Sequence, residues 1–467
     1  MSDRSVNDAR PNILLILVDQ HRADCLGANG HPLLRTPHLD GLAASGTNFE
    51  HAYTPIPLCV PARNCLVYGQ WSFQHGVLAN TGTEAGRPAP FGRPAVTRLL
   101  ADSGYQLGHV GKWHVDHDHG PEEYGFSISV PEGDYWGWRE EQGYAPRTMA
   151  GNWFGATDSA IPAAASRLAW GADRTIESLG KLSQGDSPFF MMWTPSEPHL
   201  PNMVPSPFAE MYAPESIPPW PSFPDSLQGK PYIQRQQRRT WRIDDWTWDQ
   251  WAPVVGRYLG EISLIDQQVG RVLDALEAHG LSQNTVVVYT SDHGDMCGAH
   301  GMIDKHYVMY DDIVRVPLIV RWPGEATPGA VCRSFVTHAL DLAATLCDIA
   351  GIPVPDAFQG QSVRPLVRGD DTGREDIFSA YHGAQFGLYS QRMVRDQRWK
   401  YIWNPTAEDE LYDLQDDPGE LRNLAQLPDD VEQLQRLRSR LVEWMEETGD
   451  PILNGWTRAQ LLEGLKA

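Results

Sequence analysis

The 467-residue sequence predicts an α/β fold: a mostly parallel central sheet sandwiched by helices, with a smaller C-terminal α+β subdomain containing an antiparallel sheet. Three observations carry that expectation. Short apolar runs recur along the chain, stretches of helical periodicity separate them, and polar clusters stand where several of the runs end. Near residue 370 the runs give way to short, strand-like patches. The expected division is a main domain of residues 1–370 and a subdomain of residues 371–467, both of ordinary size for α/β and appended units.

Asn12-Ile-Leu-Leu-Ile-Leu-Val-Asp19 is continuously apolar and ends in an acid, as a central strand covered on both faces reads. Residues 104–111 are a weaker case, and residues 189–193, 285–289 and 316–320 repeat the pattern. Tyr258, Ile262, Ile265, Val269, Val272 and Leu276 recur at spacings of three and four, one stripe of a long helix that stops near Gly280. Residues 338–350 form a second helix, closed by Gly351 and Pro353. Strands alternating with helices argue for a parallel sheet, and such sheets bind ligands at the carboxyl ends of their strands. Asp19-Gln20, residues 195–199 and residues 291–294 fall at such ends. Residues 201–251, rich in Pro, Trp and charge, read as a long excursion over the surface. Beyond residue 370, residues 376–381 and 392–402 read as antiparallel strands with a turn near Asp396-Gln397, and a helix follows at 431–446.

Composition narrows the partners. The formal net charge is −22 and no long basic run exists, so nucleic acid is excluded as a partner. An anion site in such a chain must be a local cluster of Lys, Arg and His. Residues 1–10 carry no apolar signal-peptide core, and residues 13–18 are too few to span a bilayer. A cytoplasmic protein without membrane attachment is expected. Six cysteines, Cys25, Cys59, Cys65, Cys297, Cys332 and Cys347, show no C-x-x-C pair, so free thiols are expected rather than a disulfide framework.

Leu58-Cys59-Val60-Pro61-Ala62-Arg63 sets Cys, Pro and Arg in a C-x-P-x-R pattern. Taken alone, the segment also describes a small buried cysteine beside a turn. It is equally the pattern read by enzymes that oxidise a cysteine to formylglycine, whose hydrated aldehyde is a nucleophile that no ordinary side chain imitates. Around it stand Pro11-Asn12 with Val18-Asp19-Gln20, then Gly111-Lys112-Trp113-His114 and Pro198-His199. Thr290-Ser291-Asp292-His293-Gly294, the segment from Arg315 to Val320, and the segment from Glu410 to Gly419 complete the set. In this order, these motifs resemble the formylglycine-dependent sulfatase family of the alkaline phosphatase superfamily. Ala62 stands where Ser is more usual, and Val67-Tyr68-Gly69 replaces the usual Leu-Thr-Gly style of ending.

The resemblance implies a catalytic main domain and a divalent cation held by Asp19, Gln20, Asp292, His293 and an oxygen of residue 59. A mostly oxygen donor set suits Ca²⁺, with Mn²⁺ or Mg²⁺ as alternatives. It implies formylglycine derived from Cys59 as nucleophile, made by a formylglycine-generating or equivalent maturation enzyme. Arg63 would hydrogen-bond the hydrate or the metal ligands, and Lys112 and Lys305 would contact sulfate oxygens. His114 would hold the hydrate and take its proton, and His199 would protonate or bind the leaving oxygen. The implied reaction is hydrolysis of a small organic sulfate monoester. A phosphonate monoester or phosphodiester hydrolase on the same nucleophile is the first alternative, and a non-catalytic binder of sulfated ligands the second. The Lys112–His114 pair favours sulfate over the first, and intact Asp19, Cys59, Arg63 and Asp292 oppose the second.

Other candidates are left unassigned. His114, His117 and His119 suggest a second metal or, as the preferred reading, a loop in which His114 alone acts. Asp295, His300 and His306 flank the second acidic motif. Residues 235–239 with Trp241, Trp246, Trp248 and Trp251 wall a substrate cleft, form an oligomer contact, or are a basic turn beside packed aromatics. Cys65 and Cys297 read as bystanders. The alcohol half of the substrate and the choice between monomer and homo-oligomer stay open.

Overall fold

The computed structural model describes residues 10–80, 88–146, 153–370, 373–383, 387–427, 431–464 and 466. The expectation for the polar N-terminus therefore falls almost wholly outside the described residues, and the expected boundary adjoins residues 371–372, which also lie outside them.

Eight strands make the main sheet: Asn12–Val18 (β1), Thr47–Phe49 (β2), Gln106–Gly111 (β3), Ile128–Pro131 (β4), Phe189–Thr194 (β5), Thr285–Ser291 (β6), Leu318–Arg321 (β7) and Ala330–Cys332 (β8). Their order is β8-β2-β7-β6-β1-β5-β3-β4. β1 lies at the centre and pairs in parallel with β5 and β6, while β3 pairs in parallel with β5 and β4, and β2 with β8. Only β7 runs against its neighbours, opposite in direction to β6 and β2. The expectation that residues 316–320 resemble the central parallel strands is corrected here. β7 starts with Leu318 opposite Thr290, at the carboxyl end of β6. No crossover has returned the chain to the other edge, so the next strand must descend. An apolar run carries no directional signal.

Successive residues of a strand face opposite sides. Ile13, Leu15 and Leu17 join one buried cluster, and Leu14, Ile16 and Val18 join the other. Helices Cys59–Tyr68 (α1) and His338–Ala350 (α5) contribute Val60, Leu66, Leu340 and Ala343 to the first cluster. Helices Arg167–Leu182 (α2) and Trp248–Ala278 (α4) supply Leu168, Leu179, Leu264, Ile265 and Val269 to the second. Each fully buried Leu, Ile or Val of this kind contributes about 1.5–3 kcal/mol. The apolar stripe of α4 matches its predicted helix, but α4 begins earlier, where Thr247 and Gln250 form a capping box. With helix Tyr232–Trp241 (α3) this corrects the reading of residues 201–251 as surface excursion, since Trp251 is wholly buried. Side chains that plug a groove and side chains that decorate a loop have the same composition, which is all the sequence offered there.

The C-terminal part holds Ile377–Tyr381 (β9), Gln391–Arg395 (β10), Trp399–Trp403 (β11) and Glu410–Asp413 (β12), antiparallel in chain order. Asp396 closes the β10–β11 turn: its Oδ1 accepts the amides of Arg398 and Trp399 at 2.9 and 2.7 Å. Helix Val431–Glu447 (α6) packs on this sheet through Leu437, Leu441 and Met445. Met393, Tyr401 and Leu411 belong to the same buried cluster as Leu15 and Leu17, so the small sheet shares a core with the large one.

Candidate active site

The carboxyl ends of β1, β6, β5 and β3 lie side by side and deliver Asp19, Asp292, the segment bearing His199, and Lys112. Backbone bonds hold the first three loops together: Asp19 N donates to Glu197 O at 3.2 Å and Asp292 N to Val18 O at 3.3 Å. Cys59 arrives from below as the first residue of α1, preceded by extended Leu58. Its Sγ lies 3.2 Å from His293 Nε2 and 3.7 Å from Asp19 Oδ1. Ligand atoms of Asp19, Cys59, Asp292 and His293 all fall within 4.8 Å of one another, and all four residues are buried. His293 Nδ1 lies 2.9 Å from Gly294 O. That carbonyl can only accept, so Nδ1 carries a proton and Nε2 is the ring nitrogen turned toward the cluster, the one a metal would take in exchange for its proton.

These residues fit a divalent cation. Two carboxylates and one imidazole, with residue 59 beside them, are a donor set for Ca²⁺, Mn²⁺ or Mg²⁺. Burial and the neighbouring Asp19 push the Asp292 carboxyl up, against the opposing pull of His293 and Arg63. A dication between the two acids would remove that repulsion. Gln20, the remaining predicted ligand, sits beside them with its amide N donating to Asp292 Oδ1 at 3.2 Å. Its side-chain oxygen accepts from Lys305 Nζ at 3.0 Å.

Cations surround residue 59. Arg63, fully buried on α1, donates from Nε to Asp292 Oδ2 at 3.0 Å and from Nη1 to Lys112 O at 2.9 Å. Its Nη2 is buried without a hydrogen-bond partner among the described residues, 3.6 Å from Asp19 Oδ2. Lys112 Nζ pairs with Asp19 Oδ2. Lys305 Nζ reaches His199 Nε2 at 2.6 Å and Asp304 Oδ1 at 3.2 Å. His199 Nδ1 lies 2.7 Å from Leu200 O, so Nδ1–H donates there and Nε2 accepts from Lys305. His114 acts on the side chain of residue 59, lowering its thiol, while its Nδ1 is buried and unpaired among the described residues. Its φ of 51° is left-handed, a conformation that non-glycine residues keep where the surroundings enforce it.

The electrostatics follow from this crowding. Burial raises the Cys59 thiol, yet Lys305, Lys112, His293 and His114 hold it well below the usual thiol range. Burial and Cys59 raise the Asp19 carboxyl, but Lys112, His199 and Arg63 keep it below the ordinary carboxylate range. Burial lowers the Lys305 ammonium, and Asp304, Cys59 and Asp19 outweigh it and hold the proton firmly. His293 is pushed up to about 9 by Asp292 and Cys59 against burial. Lys112, Lys305 and Arg63 thus gather positive charge around residue 59, set against Asp19, Asp292 and Asp304, and form the local basic cluster that an acidic chain needs in order to take an anion.

The other candidates divide. His119 stacks on Phe91 at 3.9 Å and its Nδ1 lies 3.0 Å from Asp116 Oδ2, whereas His117 is exposed. His300 is buried, with Nδ1 2.6 Å from Asp225 Oδ2. His306 Nδ1 meets Tyr381 OH at 3.1 Å. Arg238 donates to His300 O, and Arg235 to Leu227 O at 2.9 Å, so this basic segment braces loops. Trp241, Trp246, Trp248 and Trp251 gather with Leu200 and Ile303 in one apolar cluster behind His199 and Lys305. Cys65 faces His75, and Cys297 is buried, both away from the cluster of ligand atoms. Two residues beside the site had escaped the sequence reading: Asp304 holds Lys305, and Tyr258 OH donates to Gln20 O at 2.8 Å. Gln237, inside the 235–239 candidate segment, donates from Nε2 to Lys305 O at 3.1 Å. Only Asp304, adjacent to Lys305, carried a signal that could have found it.

Comparison with known proteins agrees with this geometry. The sulfatase family model matches residues 11–352, and the C-terminal model of N-sulphoglucosamine sulphohydrolase matches residues 298–447. The uncharacterized sulfatase YidJ of Escherichia coli strain K12 is 30% identical over 95% of this chain and 88% of its own length. An arylsulfatase of Clostridium perfringens is 30% identical over 96% of this chain and 98% of its own. The crystal structure of a phosphonate monoester hydrolase of Agrobacterium radiobacter superposes with a TM-score of 0.82 at 26% identity, covering 94% of this chain and 96% of that one. The sulfatase model's match over residues 11–352, with relatives 30% identical across nearly the whole chain, shows that the chain belongs to the sulfatase family.

Proposed function

We propose that the chain is a sulfuric ester hydrolase that cleaves a small organic sulfate monoester to an alcohol and inorganic sulfate, with residue 59 matured to formylglycine. The observation that carries this reading is the placement of Cys59 Sγ, 3.2 Å from His293 Nε2 and ringed by Lys112, Lys305 and His114. Sγ stands in for an oxygen of the aldehyde hydrate. One hydroxyl of the hydrate gives its proton to Asp19, whose Oδ1 lies 3.7 Å from Sγ, and attacks sulfur as the bond from sulfur to the alcohol oxygen breaks. His199, held by Lys305, protonates or binds the oxygen of the departing alcohol. His114 takes the proton of the second hydroxyl, the carbon–oxygen bond to sulfate breaks, and the aldehyde returns, ready to add water. Lys112, Lys305 and Arg63 offset the charge of the transferring group. A divalent cation held by Asp19, Asp292, His293 and residue 59, with Ca²⁺ first and Mn²⁺ or Mg²⁺ next, supplies further positive charge when bound.

On this reading residues 1–370 carry the chemistry and residues 371–467 back them as a subdomain. Among the described residues no helix is long and apolar enough to cross a membrane, and all six cysteines are free. Unpaired thiols support a reducing compartment and therefore the cytoplasm. The maturation enzyme is the one macromolecular partner that the reading requires.

The Agrobacterium neighbour supports a second reading, phosphonate monoester or phosphodiester hydrolysis on the same nucleophile. Matured enzyme assayed with an aryl sulfate, a phosphodiester and a phosphonate ester separates the two. The proposal expects the sulfate to lead in kcat/KM by about tenfold or more. A phosphonate ester leading by that margin overturns it.

A further inference from the structure

Gln20 directly follows Asp19, yet its carboxamide is occupied by other partners. Nε2 donates to Asp295 Oδ2 and, at 3.0 Å, to Asp304 Oδ1, while Oε1 accepts from Lys305 Nζ at 3.0 Å. Carboxylates accept and an ammonium donates, so the amide can face them in one sense only. The backbone is pinned as well. Gln20 N donates to Asp292 Oδ1 at 3.2 Å, Gln20 O accepts from Tyr258 OH at 2.8 Å, and φ is 74°. A glutamine rarely adopts this left-handed conformation, and here contacts at every polar atom of the residue hold it.

We infer that Gln20 is a positioning residue for Lys305, anchored by Asp295 and Asp304, and not a ligand of the cation. Two arguments support this. The oxygen that a cation would need already receives an ammonium, and a second positive charge on it would be repelled. A carboxylate at position 20 would face two buried acids, whereas glutamine offers each of them an N–H. Asp295 in turn ties the loop together, because its Oδ1 accepts the amides of Cys297 at 2.7 Å and Asp304 at 3.1 Å. Lys305 is then fixed by Gln20 Oε1, Asp304 Oδ1 and His199 Nε2, which aims its ammonium at the leaving-group side.

The kinetic half of this inference rests on the proposed sulfate-ester reaction, and the metal half does not. The test uses full-length Gln20→Met, which keeps the length and loses the polar atoms, with Asp295→Asn as a second variant that touches neither the metal set nor Lys305. Chelator-stripped protein is titrated with Ca²⁺ and with Mn²⁺, and kcat is measured with 4-nitrophenyl sulfate and phenyl sulfate. Both variants should bind as many ions per chain as the parent, with Kd within about threefold, while kcat falls about 10- to 100-fold. The loss should be larger for phenyl sulfate, whose leaving group needs the proton more. A Kd weakened about tenfold or more in Gln20→Met makes it a ligand and overturns the inference. Unchanged kcat, or equal loss on both esters, overturns the link to Lys305. If Gln20→Met does not fold, Asp295→Asn decides by the same readouts. If the parent binds the cation but turns over neither ester, the sulfate-ester reading fails and the metal titration still judges Gln20.

Discussion

The two halves of the site are built differently. Asp19, Asp292, His293 and Lys112 stand immediately after β1, β6 and β3, where sheet hydrogen bonds set their positions. Lys305 stands in a loop whose backbone is left-handed at Cys297, His300, Asp304, His306 and Tyr307. It carries a 3-10 turn at Ala299–Gly301 and closes on itself through backbone bonds such as Met296 N to Asp304 O at 3.0 Å, but no sheet ladder ties it to the rest of the fold. Polar contacts do: Asp295 to two amides, Gln237 to Lys305 O, and Arg238 to His300 O. A strand end places a side chain through many cooperative backbone bonds, whereas a loop depends on a few side chains. The strand-borne half should therefore tolerate neighbouring substitutions, and the loop-borne half should not.

The largest effect belongs to the residue both halves enclose. Cys59→Ala should abolish turnover, by at least about 10⁴-fold in kcat/KM, with the melting temperature retained. Residual turnover at the parent rate would remove residue 59 from the chemistry. Next, Asp292→Asn should weaken cation binding by at least about 100-fold in a direct titration, since it deletes one of two buried carboxylates. Unchanged affinity would place the cation elsewhere. In the loop, Gln237→Leu cuts the bond to Lys305 O from α3. It should lower kcat about three- to tenfold with cation affinity intact, and an unaltered kcat would show that the loop stands without α3.

The smallest effect concerns stability, in the frame that both halves share. Burial holds His75, His109 and His338 down to about 3, and His21 down to about 4, against about 6.5 in an unfolded chain. Below 6.5 the unfolded chain takes up protons that the folded chain refuses. Stability is complete above that pH and falls as pH drops toward 4, by about 1.4 kcal/mol per unit for each histidine. His338→Leu should reduce the proton uptake linked to unfolding between pH 4 and 6 by about one. Equal uptake in parent and variant, from denaturant midpoints across that range, would contradict this.

The same contrast explains what the sequence made legible. β1, β3, β5 and β6 announce themselves by apolar runs, and Asp19, Lys112, His199 and Asp292 follow them. Cys59 and Arg63 announce themselves by motif. The short strands β2, β4 and β8 have too few residues to show a period, and the direction of β7 follows from connectivity, which a pattern of apolar residues does not record. α3 and the start of α4 were hidden by composition. Asp295, Asp304, Gln237 and Tyr258 act through hydrogen bonds between distant parts of the chain, such as Tyr258 with Gln20. No local pattern encodes such pairs, so the partners of Gln20 emerge only when the fold brings them together.

Mass spectrometry of the peptide containing residue 59, from protein made in its native host, tests the central claim most directly. The account predicts an aldehyde, about 18 Da lighter than the thiol, in the fraction that turns over sulfate esters. Unmodified cysteine throughout an actively hydrolysing preparation would contradict it.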